Sequence, residues 1–205
     1  MNRDTTDVKL ARYQELPLIE GDEVVERNPD QTRFTTDFTE RAINVIDKHK
    51  DSPFFIYLAH PMPHVPLHVS SKFKGKSKQG MYGDVIMEID WSVGQILDKL
   101  KKEGLEENTL VIVTSDNGPW IKYGNHAGST AGLREGKLTT FEGGQRVPCI
   151  MKWKGVIEAG VICNNLASSI DLLPTFASIA DAKLPDHKID AVSYTHLRAH
   201  ETGAY

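Results

Sequence analysis

Cysteines and long apolar runs are both scarce in this chain of 205 residues. The two cysteines, Cys149 and Cys163, are too few to form a disulfide framework. No apolar run approaches the ~20 residues that cross a bilayer, so we expect no membrane span. Residues 1–21 also lack the apolar centre that a secretion signal requires.

The chain has no excess of basic charge either. The formal net charge is −4, and no run of lysine and arginine forms a binding stripe, so we expect no nucleic-acid partner. The densest basic cluster, at 72–80, is typical of a solvated surface loop. An apolar fraction of 40% and a charged fraction of 25% are those of an ordinary globular protein, long enough for one sizeable core.

The spacing of apolar residues predicts alternating helices and strands. Apolar residues recur every three or four positions in three predicted helices, at 34–50, 81–104 and around 168–182. Short continuous apolar runs predict three buried strands, at 53–59, 109–116 and 148–153. Residues 1–33 are polar, and we expect them to be mostly loop. This order of elements predicts an α/β fold with a mainly parallel sheet flanked by helices.

Three histidines alternate with prolines directly after the first predicted strand, in the stretch HPMPHVPLH. His60, His64 and His68 are four residues apart, which on a helix would place them on one face, as in a metal site. The prolines exclude that helix because each removes a backbone donor and clashes with the preceding turn. His64, between Pro63 and Pro66, has the most fixed backbone and suits a general acid or base. We expect structural or peripheral roles for the other two histidines.

The second predicted strand leads into SDNGP (115–119), so both polar loops follow the carboxyl ends of strands, where α/β sheets bind ligands. Asp116 and Asn117 offer carboxylate and amide oxygens, which calcium and magnesium prefer, and Gly118 would permit the turn. The alternative is a hairpin, because Asn-Gly is a strong turn signal, but no partner strand follows directly. Two ligands cannot hold such an ion alone, so the others must come from elsewhere.

A third loop, GLREGKLTTFEGGQRVP (132–148), carries two cations between glycines. Arg134 and Lys137 can grip an anionic group, and the alternative is a solvated charged turn. We interpret Glu142, Gly143 and Gly144 as backbone structure, in which the glycines permit positive φ.

These three motifs together resemble a known family. HPMPHVP, SDNGP and the pattern GK-x-TT-x-EGG-x-R-VP, in this order and with these strands between them, are similar to the central part of sulfatases of the arylsulfatase type. The resemblance extends roughly from residue 14 to residue 190. It implies the alkaline-phosphatase-like α/β fold and the hydrolysis of sulfate esters of a small molecule or a carbohydrate. It also implies two cofactors, calcium and a formylglycine made from a cysteine or serine.

The resemblance implies a role for each matching residue. His64 matches a histidine that serves acid–base catalysis at the ester oxygen, and Lys137 matches a catalytic lysine that contacts the sulfate. Asp116 and Asn117 match calcium ligands, and His126, in YGNHAGS, is a weaker match to a residue of the substrate pocket. These roles agree with the chemistry, because breaking the S–O bond requires fixed positive charge and histidine titrates near neutrality.

The family's formylglycine motif, C/S-x-P/A-x-R, does not occur in this sequence. We therefore expect residues 1–190 to be the central to C-terminal part of a sulfatase catalytic domain, an internal fragment with an incomplete fold and no activity alone. Residues 191–205 depart from the family and resemble translated adapter sequence, so we expect no function for them. The family implies a periplasmic or secreted protein.

Two alternatives stay open. A phosphodiesterase or phosphatase of the same superfamily would use more Asp and His ligands around two zinc or manganese ions, which the pairing of DNGP with GK-x-TT disfavours. A non-catalytic relative would bind sulfated glycans without turnover. The upstream sequence discriminates between them, because a C/S-x-P-x-R motif there would favour the sulfatase.

Overall fold

The computed structural model describes residues 15–191, so the tail at 191–205 lies outside the described residues except for its first position. Four strands occur, β1 (Pro17–Glu20), β2 (Glu23–Arg27), β3 (Val111–Thr114) and β4 (Cys149–Lys152). Four α-helices occur, α1 (Phe34–His49), α2 (Gly80–Lys102), α3 (Glu142–Gln145) and α4 (Leu172–Ile179). Within this range no helix combines the length and the apolar character that crossing a membrane demands.

Most of the predicted elements are confirmed. Helices α1 and α2 lie within one or two residues of the predicted bounds, and β3 and β4 lie inside the predicted strands. The last predicted helix begins with a short 3-10 turn, Ser169–Asp171, and α4 then ends at Ile179. Pro174 lies in the first turn of α4, where its missing backbone donor would have no helical acceptor.

The prediction of a loop for residues 1–33 is wrong in its described part. Strands β1 and β2 form an antiparallel hairpin closed by the two residues Gly21 and Asp22. Gly21 has φ of +61°, and glycine first in a two-residue loop is typical of a hairpin turn. The flanking strands are short, and all but one residue of each is exposed, so they lack the apolar alternation that marks a half-buried strand in sequence.

The prediction of a buried strand at 53–59 is also wrong. This segment is extended, but it pairs with no strand among residues 15–191. Phe55 and Tyr57 are 72% and 82% exposed, whereas Phe54, Ile56 and Leu58 are half-buried. Only one face of the segment is therefore covered. A buried strand needs neighbouring strands to pair with and other segments to cover its second face, and the described part of the chain supplies neither.

The strand pairing differs from the mainly parallel sheet that we expected. Strand β3 pairs with β4 in antiparallel register, with Val111 opposite Lys152 and Thr114 opposite Cys149. Both ladders among residues 15–191 are antiparallel pairs of two strands. The expectation rested on helices that separate the strands along the chain. The connection from β3 to β4 is instead a long loop whose helical parts are the 3-10 stretch Ile121–His126 and the single turn of α3.

Helix α2 provides the surface on which the His-Pro stretch lies. Met62 and Leu67 of that stretch, and Val69 directly after it, are buried with Val85 of α2 in one apolar cluster. Two turns further along the same face of α2, Ser92 Oγ is 3.0 Å from His60 Nε2 and 2.6 Å from Thr39 Oγ1 of α1. His60 is half-buried at this contact, whereas His64, in the middle of the stretch, is exposed.

Two buried carboxylates of α2 hold the loop that follows. Asp84 is 4% exposed and accepts hydrogen bonds from the backbone N–H groups of Gly75 and Ser77, both at 2.7 Å. Glu88 is 1% exposed and accepts from Ser70 N at 3.1 Å. The backbone hydrogen bonds keep the pKa of Asp84 below its usual range, because they stabilise the charged carboxylate.

Candidate active site

His64 projects from the His-Pro stretch into solvent at the surface formed by the polar loops. Its backbone N–H donates to Pro61 O at 3.1 Å, which closes a tight turn around Met62 and Pro63. Its Nδ1 lies 2.7 Å from Val65 O. Since a carbonyl oxygen only accepts, Nδ1 carries the proton, and Nε2 is the nitrogen left to exchange a proton with a ligand.

The Asp116–Asn117 turn follows β3 directly. Asp116 is exposed and Asn117 is half-buried, and Ser115 Oγ donates to Asn117 O at 3.1 Å within the turn. Thr114 Oγ1 donates to Pro148 O at 3.1 Å, which ties the end of β3 to the residue before β4. The turn is therefore fixed at its base while its two polar side chains stay at the surface.

Close backbone contacts join this turn to the loop that carries Lys137. Gly118 N donates to Gly144 O at 2.9 Å, and Lys137 N donates to Pro119 O at 2.9 Å. A Cβ atom at Gly118 would lie 1.9 Å from Gly143 O, and a Cβ at Gly136 would lie 2.6 Å from Pro119 O. Glycine is required at these positions because only a residue without a side chain allows the backbones to approach so closely.

Arg134 and Lys137 of the third loop do not act as one pair. The Arg134 guanidinium stacks over the Phe141 ring at 3.8 Å, whereas Lys137 Nζ lies 5.8 Å from the centroid of the Trp120 ring. Trp120 is also 6.4 Å from the His64 ring, centroid to centroid. The structure therefore brings Lys137 and His64 to the same indole and directs Arg134 elsewhere.

His126 ends a 3-10 stretch, Ile121–His126, and is half-buried. Two residues later Gly128 packs on the Tyr82 hydroxyl of α2, where a Cβ would lie 2.4 Å from the oxygen. Among the described residues His126 makes no hydrogen bond or ring contact with His64 or Lys137. Its role in a substrate pocket stays a prediction.

Asp116 and Asn117 fit a calcium ion as part of a ligand set. Their adjacent oxygens are the donors that calcium prefers. Among residues 15–191 the exposed Asp116 carboxylate has only a long hydrogen-bond contact, 3.5 Å, from Ser115 Oγ. Calcium takes six to eight oxygen ligands. Within residues 15–191 no group of three or more His, Cys, Asp or Glu side chains is placed to hold a metal, so the described residues supply only part of such a set.

Sequence reasoning missed Trp120. It is the aromatic residue directly after SDNGP, and an aromatic side chain that follows a polar turn was the available signal. The prediction considered only side chains that titrate or bind metals. A neutral aromatic ring that contacts two such side chains forms no sequence motif that would reveal those contacts.

Comparisons with known proteins give one consistent family. The family model described as Sulfatase matches residues 8–182. The chain is 39% identical to N-acetylgalactosamine-6-sulfatase of Mus musculus over 86% of this chain and 33% of that protein. It is 43% identical to arylsulfatase A of Bos taurus, over 73% of this chain and 29% of that protein. The chain thus spans about a third of the length of the curated relatives it matches.

A solved structure gives the same result for the fold. The crystal structure of Ps i-CgsB in complex with k-i-k-neocarrahexaose superposes with a TM-score of 0.77 at 32% sequence identity. The superposition covers 88% of this chain and 41% of that chain.

Proposed function

Because this chain belongs to the sulfatase family, we propose that it carries part of the active site of an enzyme that hydrolyses sulfate esters. The observation that supports this proposal is the assembly of three separate loops around one surface. The Asp116–Asn117 turn and Lys137 are joined by backbone hydrogen bonds, and Trp120, next to that turn, contacts both Lys137 and His64.

In this proposal His64 is the general acid for the departing alcohol. The sulfuryl group would pass to the nucleophile, whose motif does not occur in this sequence. As its S–O bond to the alcohol breaks, the alcohol oxygen takes a proton from Nε2 of the doubly protonated His64 ring, while Nδ1–H stays bonded to Val65 O. That second hydrogen bond fixes the orientation of the ring, which a proton donor requires. Nε2 is the only ring nitrogen that the arrangement leaves for this task.

Lys137 supplies fixed positive charge to the sulfate oxygens. Charge that is already in place when the S–O bond breaks stabilises the transition state without any rearrangement of solvent. Asp116 and Asn117 would hold calcium together with residues outside the described part, and the bound ion would add positive charge at the sulfate. The nucleophile of the family, formylglycine, has no motif in this sequence.

The substrate that we propose is a sulfated carbohydrate or a sulfated small molecule. The similarity to N-acetylgalactosamine-6-sulfatase and to Ps i-CgsB, which was crystallised with an oligosaccharide, supports the carbohydrate. The similarity to arylsulfatase A supports a smaller ester. We propose a periplasmic or secreted location on the same family grounds.

The test uses a gene product that contains this chain and is as long as its curated relatives, here called the full-length gene product. We expect hydrolysis of 4-nitrophenyl sulfate, and we expect His64→Ala to lower kcat by about 10²–10⁴ because the leaving alcohol loses its proton donor. Calcium binding, measured by titration calorimetry, should be unchanged in this variant. The matched control is His49→Ala, since His49 is an exposed histidine in the last turn of α1.

Three results would contradict the proposal. Hydrolysis of 4-nitrophenyl phosphate in preference to the sulfate would favour the phosphatase alternative. Binding of a sulfated glycan without any turnover would favour the non-catalytic one. Loss of calcium in His64→Ala would show that this histidine is a ligand and not the acid.

A further inference from the structure

Trp120 lies between the two side chains to which we assign the chemistry. Its ring is 6.4 Å from the His64 ring, with an angle of 60° between the planes. Lys137 Nζ is 5.8 Å from the indole centroid, within the range of a cation–π contact. Tyr123 packs on the indole in an edge arrangement at 4.8 Å. One ring therefore contacts the histidine, the lysine and a third residue that supports it.

The backbone fixes where this ring can be. Pro119, the residue before Trp120, accepts the backbone hydrogen bond of Lys137 at 2.9 Å. The close approach of Gly136 to Pro119 O keeps the Lys137 loop in contact with the segment that carries Trp120. The Lys137 side chain and the indole thus start from adjacent backbone positions.

A hydrogen bond from the indole N–H does not explain the position of the Trp120 side chain. Nε1 of Trp120 is buried and meets no hydrogen-bond acceptor among residues 15–191. No hydrogen bond within the described residues therefore anchors the indole of Trp120, and the contacts of this side chain are those of the ring face and edge. A side chain held in this way acts on its neighbours through packing and through the negative charge of the π face.

We propose that Trp120 is a positioning residue that holds the Lys137 ammonium and the His64 imidazole in the arrangement that the sulfate ester requires. This inference rests on the proposed function of His64 and Lys137. A lysine has a long, flexible side chain, and a ring face that attracts its ammonium restricts the positions it samples. The benefit is expressed in the transition state, where the positions of the charges matter most.

The test compares two variants at this position in the full-length gene product with 4-nitrophenyl sulfate. Trp120→Leu removes the ring and keeps an apolar side chain, and we expect kcat to fall by about two- to thirty-fold, the range that a cation–π contact spans. KM should change less than kcat, because the contact orients groups that act on the transition state. Trp120→Phe keeps a ring without the N–H and should restore most of the loss.

The matched control is Trp91→Leu. Lys72 Nζ lies 4.1 Å from the centroid of the Trp91 ring, so this variant also breaks a contact between a lysine and a tryptophan, but on α2 and with a residue of the basic loop. We expect its kcat to equal that of the wild type. Thermal unfolding of each variant shows whether the folded state persists.

Each outcome bears on one hypothesis. Normal kcat in Trp120→Leu, while His64→Ala is impaired, would overturn the positioning role and leave the proposed function intact. Equal losses in Trp120→Leu and Trp120→Phe would also overturn it, because the ring would then not be what matters. If Trp120→Leu does not fold, the phenylalanine variant decides, since a large loss of kcat there contradicts the proposal. An absence of hydrolysis by the wild type would overturn the proposed function itself.

Discussion

Replacing Gly118 by alanine tests the backbone contact that joins the Asp116–Asn117 turn to the Lys137 loop. The new Cβ would lie 1.9 Å from Gly143 O and 2.9 Å from the carbon of the same carbonyl. Ordinary contact begins near 3.4 Å, so the turn or the carbonyl must move by about 1.5 Å. Both neighbouring atoms belong to the backbone, which means that no flexible side chain can relieve the overlap.

The size of the effect follows from two costs. Forcing an extra carbon into a packed site costs about 1–3 kcal/mol. A shift of this size also breaks the hydrogen bond from Gly118 N to Gly144 O, which contributes about 0.5–1.5 kcal/mol. We therefore expect Gly118→Ala to lower the free energy of unfolding by about 2–4 kcal/mol. Displacement of groups by an ångström can also lower turnover by about 10².

The assay is urea unfolding of the chain, followed by kcat measurement in the full-length gene product. Gly94→Ala is the matched control, because Gly94 lies inside α2 and an added Cβ there meets no atom within 4 Å. Alanine at that helical position should raise stability by about 0.4–1 kcal/mol. If Gly118→Ala unfolds at the same urea concentration as the wild type, the close contact between the two loops is not as described.

Two further predictions concern the dependence of stability on pH. Lys99 Nζ lies 2.5 Å from Asp47 and 2.7 Å from Glu103, and these hydrogen bonds lower the pKa values of both carboxyl groups. The stabilising contribution of these hydrogen bonds is present above the ordinary carboxyl pKa and is lost as acid protonates the carboxylates of the folded state. Lys99→Met should therefore make the free energy of unfolding depend less on pH below about pH 4.5. An equally steep profile in urea unfolding at pH 3 to 5 would refute this. Burial lowers the pKa of His60, so the folded state binds its proton less readily than the unfolded chain and stability falls as pH decreases below about 6.5. His60→Gln should reduce the difference in urea midpoint between pH 7.5 and pH 5.5, and an unchanged difference would contradict the role of that burial.

The long helices were predictable because each carries a sustained apolar stripe. In α2 the stripe locates the helix within two residues at either end, and the match to sulfatase structures confirms the α/β class of the alkaline-phosphatase type. The stripe does not reveal that α2 also buries Asp84, Glu88 and Ser92. These polar residues are buried because each has a hydrogen-bonding partner in the His-Pro stretch or the loop after it, and a partner so far along the chain leaves no periodic signal.

The extended segment at 53–59 was misjudged for a related reason. A continuous apolar run predicts burial on two faces, but pairing and burial both depend on other segments. Phe55 does contact Phe176 of α4, at 5.5 Å between ring centroids, and it is nevertheless 72% exposed. Composition can indicate that a segment is suited to a sheet, whereas the sheet itself requires neighbouring strands.

Gly143 and Gly144 show how a motif without reactive groups can control a site. Glycine permits positive φ, but neither residue adopts it, because both lie in the single turn of α3. Their requirement is space, because a Cβ would lie 2.1 Å from Glu135 O at Gly143 and 2.5 Å from Gly136 O at Gly144. These carbonyls belong to the two residues before Lys137, while Gly144 O itself accepts the hydrogen bond of Gly118 N. The two glycines therefore set the separation between the Lys137 loop and the Asp116–Asn117 turn, and a side chain at either position would change that separation before it changed any reacting group.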